Sequence, residues 1–214
     1  PENPRHNACK DPSGQMAQLK MLIERLCGGP DAKYAADDVQ VICAVNEKGP
    51  LSRKLLNEAL RELLNPDSEV PEKCRFAEND KAICLSNQFA QHADDEDEVL
   101  YLANGEIGRI RESKPESFTI QMEGKGCALI PRARWDDFAL GYAITGHKAQ
   151  GSQWPVTIVM IDSYGGGMVC TRSWWYTSLS RSSRVTITIG RRATIAQHCR
   201  RVDLERRKTL MVER

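Results

Sequence analysis

Residues 142–154, YAITGHKAQGSQW, restrict the fold of this chain more than any other stretch. They start as a short apolar strand and break into a polar turn that contains glycine. A second apolar run follows at 156–161. Residues 175–184, WYTSLSRSSR, then read as a short helix that delivers Arg181 to the start of a third strand, VTITIG at 185–190. Short apolar strands joined by turns and helices build a parallel sheet buried on both faces. Such a sheet lines up backbone amides and an arginine along one edge, an arrangement suited to an anion. Thr145, His147 and Lys148, three side chains fit for phosphate or nucleotide contact, come together in the turn.

The rest of the chain fits the same frame. Residues 13–27 carry apolar side chains at 16, 19, 22, 23 and 26, the spacing of a helix, and Gly28-Gly29-Pro30 ends it. Residues 39–45, VQVICAV, predict a buried parallel strand. The clearest amphipathic helix covers 51–64, with apolar positions at 51, 55, 56, 59, 60, 63 and 64 and a stop at Asn65-Pro66. Beyond 71 the period changes. Strand-like pieces at 81–86, 99–103, 106–111, 118–122 and 127–131 follow one another without helices, and Asn104-Gly105 signals a tight hairpin. The acidic run 94–98, DDEDE, reads as a solvated loop. The α/β pattern resumes with a strand at 139–144. The expected architecture is α/β: a parallel sheet flanked by helices (1–70 and 137–214), interrupted by a small all-β barrel (71–136).

Composition excludes several classes. Hydrophobic residues make up 41% and charged residues 28%, as in ordinary globular proteins. No apolar run reaches the length of a membrane span and no signal peptide opens the chain, so no membrane partner is expected. The chain begins at Pro1, which suggests a piece of a longer polypeptide. Its eight cysteines form no CxxC pair, and those at 43 and 84 lie in apolar strands, so they read as reduced core residues of a cytoplasmic protein. His6 and Cys9 have no second ligand pair, and no metal site is expected. The net charge of +1 hides an asymmetry, because residues 171–214 carry 11 Lys/Arg against 3 Asp/Glu. A basic C-terminal quarter suits phosphate contact, and equally suits a solvated arginine-rich helix.

These residues resemble the second motor domain of superfamily-one DNA helicases, most closely the RecD-like branch, exodeoxyribonuclease V alpha subunits included. The family's THKxQGS motif corresponds to residues 145–152, with Gly146 in the variable place after the threonine. YTAxTRA corresponds to 176–182, read here as YTSLSRS. Residues 40–66 look like the opening strand, loop and helix of this domain, and 79–87 and 104–110 like its inserted β-barrel. Glu205-Arg206-Arg207 looks like its terminal helix. One motif alone would be weak, and five in the family's order are strong.

The resemblance implies a fold of the RecA type and a division of labour. Arg181 matches the arginine of motif VI, which reaches across a cleft to stabilise charge on the γ-phosphate. Gln150, Gly151 and Gln153 match the part of motif V that meets the nucleotide. Gln153 departs from the family's usual glutamate, keeping a hydrogen-bond acceptor and losing the charge. Thr145, His147 and Lys148 match the turn that contacts single-stranded DNA. Trp174 and Trp175 read as packing residues rather than stacking platforms. Arg109, Lys114, Lys125, Arg132 and Arg134 make the insert basic, so one of its faces is a candidate DNA surface.

The chain contains no GxxxxGK[ST], and Gly165-Gly166-Gly167 lacks the following Lys-Ser/Thr. ATP and Mg2+ are therefore expected only in the full polypeptide, where an N-terminal RecA-like domain would bring the phosphate loop. This piece alone is expected to hold neither and to be inactive. The implied function is that of the C-terminal motor part of an ATP-dependent 5′→3′ DNA helicase working in recombination or repair, with single-stranded DNA and other helicase–nuclease subunits as partners. Two alternatives stay open: the helicase half of a conjugative relaxase, and a nucleic-acid-binding module whose ATPase is dead.

Overall fold

The computed structural model describes residues 11–95, 97–161 and 169–201. His6, Cys9, the 165–167 glycine run and 205–207 lie outside these residues. The chain divides into two compact units, 1–53 with 145–214 and 54–144. The sequence places boundaries at 71 and 136, whereas this division groups the second helix with the β-rich part.

The first unit is built on a parallel sheet. Strands β1 (Val39–Cys43), β10 (Trp154–Met160) and β11 (Ser182–Ile189) pair in parallel. Its strand order is β11-β10-β1, and a short strand β9 (Ala143–Thr145) lies where the two units divide. β1 is buried at every position, as a strand covered on both faces must be. Helix α1 (Pro12–Cys27) starts at the N-cap Asp11, whose carboxylate accepts the amide of Gly14. That bond, with a second from the Ser13 hydroxyl, holds the Asp11 carboxyl below the usual carboxylate range. Helix α3 (Arg172–Leu179) is capped by Thr171, and α4 (Arg192–Cys199) follows β11.

Buried polar groups tie α1 to this sheet. Gln15 is 4% exposed. Its Nε2 donates to the carbonyl of Ile161 at 2.9 Å and to that of Ile189 at 3.2 Å, just past β10 and at the end of β11. Alanine there would strand two buried carbonyls, so Gln15→Ala should destabilise the chain by about 1–3 kcal/mol. Urea unfolding at an unchanged m-value measures this. A loss below about 0.5 kcal/mol would make Gln15 a bystander.

The second unit holds α2 (Arg53–Leu64, counted here from residue 54) and an antiparallel sheet. Its strands are β2 (Lys81–Cys84), β3 (Gln88–His92), β4 (Val99–Leu102), β5 (Ile107–Ser113), β6 (Ser117–Met122), β7 (Gly126–Pro131) and β8 (Phe138–Leu140), in the order β4-β3-β7-β6-β5-β2-β8. Phe118 centres the core, with edge-on contacts to Phe76 at 5.1 Å and Phe138 at 5.3 Å. Asn57 clasps the Ala143 backbone, donating to its carbonyl at 2.8 Å and accepting its amide at 3.0 Å. Cys43 and Cys84 are buried thiols outside any disulfide, as expected, and burial pushes the Cys84 thiol up.

Three details differ from the sequence reading. The apolar run at 139–144 is two strands, because Phe138–Leu140 pairs with β2 and Gly141 separates it from β9. Strand β3, QFAQH, is not foreseen. It buries Gln88 and Ala90 and leaves Phe89 71% exposed, inverting the usual apolar alternation. Finally, Asn104-Gly105 makes a turn without closing a hairpin. Gly105 has φ 97°, but β4 and β5 are not neighbours in the sheet. The turn instead binds the β2–β3 connection, Asn104 N donating to Asn87 Oδ1 at 2.7 Å and Gly105 N to the Cys84 carbonyl at 2.8 Å.

Candidate functional site

The turn at 145–152 leaves the parallel sheet as a compact coil of backbone hydrogen bonds. Gly146 N donates to the Cys43 carbonyl at the end of β1, at 3.2 Å. Ala149 N donates to Thr145 O at 3.1 Å, Gln150 N to His147 O at 3.3 Å, and Ser152 N to Ala149 O at 3.3 Å. Ala149 is fully buried and anchors the coil. Around it, His147, Gln150, Gly151 and Gln153 are exposed, Lys148 is half-buried, and Thr145 is only 6% exposed. The turn thus presents an imidazole, two amides and glycine backbone outward, while Thr145 packs inward. Gly151 has φ 90° and nothing near a would-be side chain, so glycine is required there by conformation rather than by space. Its open backbone lets a ligand approach the peptide plane.

Arg181 sits between α3 and β11, where the sequence places it. Its guanidinium is half-buried and held in three directions. Nε donates to the Thr177 carbonyl at 3.0 Å, Nη1 to the Ser152 carbonyl at 3.3 Å, and Nη2 to Ser180 Oγ at 2.9 Å. Trp154 N donates to the Arg181 carbonyl at 2.9 Å. The last residue of the turn and the arginine therefore meet directly, although 29 positions separate them. The rest of the guanidinium fork can donate to an anion.

Trp174 and Trp175 are packing residues, as expected, 5% and 2% exposed and edge-to-face at 5.2 Å. The five basic side chains of the insert are engaged locally. Lys125 pairs with Glu106 at 2.5 Å, Lys114 with Glu112 at 2.8 Å, and Arg134 with Asp137 at 3.6 Å. Arg132 donates to the Pro115 carbonyl and lies over Trp135, and Arg109 donates to the Asn79 carbonyl. Sequence reading did not single out Ser152 as the arginine's acceptor or Gln15 as the staple on the strand ends. A backbone carbonyl carries no sequence signal, and a polar residue in a helix pattern reads as solvent-facing.

Residues 140–186 match the UvrD-like helicase C-terminal domain family. That segment holds both the turn and Arg181. The chain resembles the C-terminal motor domain of superfamily-one helicases. It is 28% identical over 204 residues to the ATP-dependent RecD2 DNA helicase of Deinococcus radiodurans, which covers 95% of this chain and 26% of that relative. The chain thus spans about a quarter of that helicase's length. Among solved structures, Bacteroides Pif1 bound to single-stranded DNA aligns over 91% of this chain and 51% of its own, at 13% identity and TM-score 0.48. Bacteroides Pif1 with ADP-AlF3 and single-stranded DNA aligns over 87% and 49%, at 14% identity and TM-score 0.47. No helix among the described residues is long and apolar enough to cross a membrane.

Proposed function

We propose that this chain is the second motor half of an ATP-dependent DNA helicase of the RecD-like branch, moving 5′→3′ on single-stranded DNA in recombination or repair. Hydrolysis belongs to a cleft shared with a phosphate-loop domain of the same polypeptide, which brings ATP and Mg2+. Arg181 supplies positive charge to the phosphoryl group in flight. Gln150, Gly151 and Gln153 face the nucleotide, and Thr145, His147 and Lys148 serve the DNA strand. Thr145 acts from within, shaping the turn through its carbonyl, while His147 supplies the exposed contact.

The observation that carries this reading is the hydrogen bond from Arg181 to the Ser152 carbonyl. It ties a strand-facing turn to a phosphate-facing arginine in one compact unit, as a machine that couples DNA to hydrolysis requires. A passive nucleic-acid-binding module could use the arginine for phosphate contact but gains nothing from tying it to the turn.

His147→Ala in the full polypeptide tests the reading. Loss of an exposed imidazole that stacks on or bonds to the strand should weaken single-strand binding by about 1–3 kcal/mol. Stimulation of ATP turnover by the strand should fall further than turnover without DNA. Fluorescence anisotropy with a labelled oligonucleotide and a coupled ATPase assay measure both. Unaltered DNA affinity with lost DNA-free turnover would assign the turn to the nucleotide instead.

A further inference from the structure

We infer that Gly146 and Trp174 are positioning residues, an interlock that seats the 145–152 turn on helix α3 and passes its movement to Arg181. The inference rests on the function proposed above. Gly146 is buried, and its Cα lies against the edge of the Trp174 indole. A side-chain carbon at this position would sit 2.5 Å from Trp174 Nε1, 3.0 Å from its Cε2 and 3.0 Å from Ser178 Oγ. Only glycine lets the backbone come this close, and its φ lies outside the left-handed range, so space alone imposes the choice.

The wall on the other side is rigid. Trp174 is pinned edge-to-face at 5.2 Å by Trp175, which in turn lies 6.4 Å from the ring of His198 on α4. Trp174, Trp175 and His198 are each no more than 5% exposed. A close-packed indole held from behind cannot recoil as a surface side chain would.

The turn is therefore fastened to the arginine-bearing segment at both ends. At its start Gly146 rests on Trp174, and at its end the Ser152 carbonyl accepts Arg181. Between these points lie His147, Gln150 and Gly151, all exposed. A strand that displaces the exposed middle of the turn meets fixed ends, and the displacement is delivered to α3 and its arginine. If a side chain at 146 lifts the turn off the indole, the Ser152–Arg181 bond stretches and the arginine loses its reference to the strand.

The test compares Gly146→Ala, Trp174→Leu and the double variant in the full polypeptide. Gly146→Ala should lower the ratio of DNA-stimulated to DNA-free ATP turnover by about ten- to a hundredfold, while DNA-free turnover stays within about twofold. Trp174→Leu removes the two indole atoms that a side chain at 146 would strike, the nearer at 2.5 Å, and leaves only Ser178 Oγ at 3.0 Å, so the double variant should recover most of the ratio, a non-additive result. Thermal unfolding of this chain reads the contact without ATP. Gly146→Ala should melt lower by at least about 3 °C, and the double variant no lower than Trp174→Leu alone. Gly146→Ala with a wild-type melt and ratio overturns the inference. Additive losses, or equal falls in DNA-free and DNA-stimulated turnover, reduce the contact to ordinary packing and overturn it as well. If the melts show the rescue while Arg181→Ala leaves turnover intact, the interlock stands as a contact but has no arginine to position, so the coupling inference is overturned together with the helicase reading.

Discussion

Under the function proposed above, Arg181→Ala is expected to lower DNA-stimulated ATP hydrolysis by at least about a hundredfold in the full polypeptide. Negative charge spreads over the oxygens of the transferred phosphoryl group, and a guanidinium fork is the side chain that answers it in a dry cleft. The structure makes the expectation specific. Arg181 is held by three hydrogen bonds from its own guanidinium, so its head is pre-oriented and little side-chain freedom remains to be lost. Its partners are backbone carbonyls and a serine at a half-exposed position, so truncation should cost the fold only about 1 kcal/mol. The melt should barely move while turnover collapses. Arg181→Lys should recover little, because a point charge cannot bridge the Ser152 carbonyl and a phosphate together. Near-normal turnover in Arg181→Ala would demote the residue to a link between α3 and the turn.

The largest expected effect on stability lies at Asp80 in the second unit. This carboxylate is fully buried. Its Oδ1 accepts from Arg61 Nε at 3.0 Å, Asn65 Nδ2 at 3.0 Å and Tyr142 OH at 3.2 Å, and its Oδ2 accepts the Ala77 amide at 2.9 Å. Burial, with the Asp80 charge next, pushes the Tyr142 hydroxyl up to about 12, so it stays a donor across the neutral range. Asp80→Ala takes an acceptor from the Tyr142 hydroxyl, removes the partner of the Ala77 amide and leaves Arg61 without its counter-charge. The expected cost is about 3–5 kcal/mol, the range for breaking a buried ion pair from one side. Asp80→Asn should lie between, since the amide keeps one acceptor and turns a donor toward donors. Guanidinium unfolding of the chain and its two variants measures all three. A loss under about 1 kcal/mol for Asp80→Ala would mean that water reaches the site and replaces the carboxylate.

The two residues are not equally legible in the primary structure. Arg181 is legible, because YTSLSRS precedes a strand and resembles a known motif. Asp80 reads as one acid in a polar stretch, NDK, between helix and strand. Its weight comes from Arg61 and Asn65 on α2 and Tyr142 near β9, which fold to it from 19, 15 and 62 positions away.

Local pattern determined the elements that answer to one face of burial. Helix α1 runs from 12 to 27 and α2 from 53 to 64, within two residues of where the apolar spacing puts them. The all-apolar run at β1 is the buried parallel strand it looks like, and the polar turn follows β9. Periodicity suffices there because each element meets its surroundings through a single repeating stripe. Tertiary structure decided what depends on which partner a segment finds. The apolar stretch around Gly141 serves two sheets because β2 offers Phe138–Leu140 an open edge. β3 turns Phe89 outward because its buried face is set by the pairing with β4 and β7, and Asn104-Gly105 turns without a hairpin because β4 prefers β3. The Arg181–Ser152 bond and the contact of Gly146 with Trp174 have the same origin. A residue type records its own chemistry and its local backbone preference, while a hydrogen bond or a close approach between distant segments exists only once the whole chain has packed.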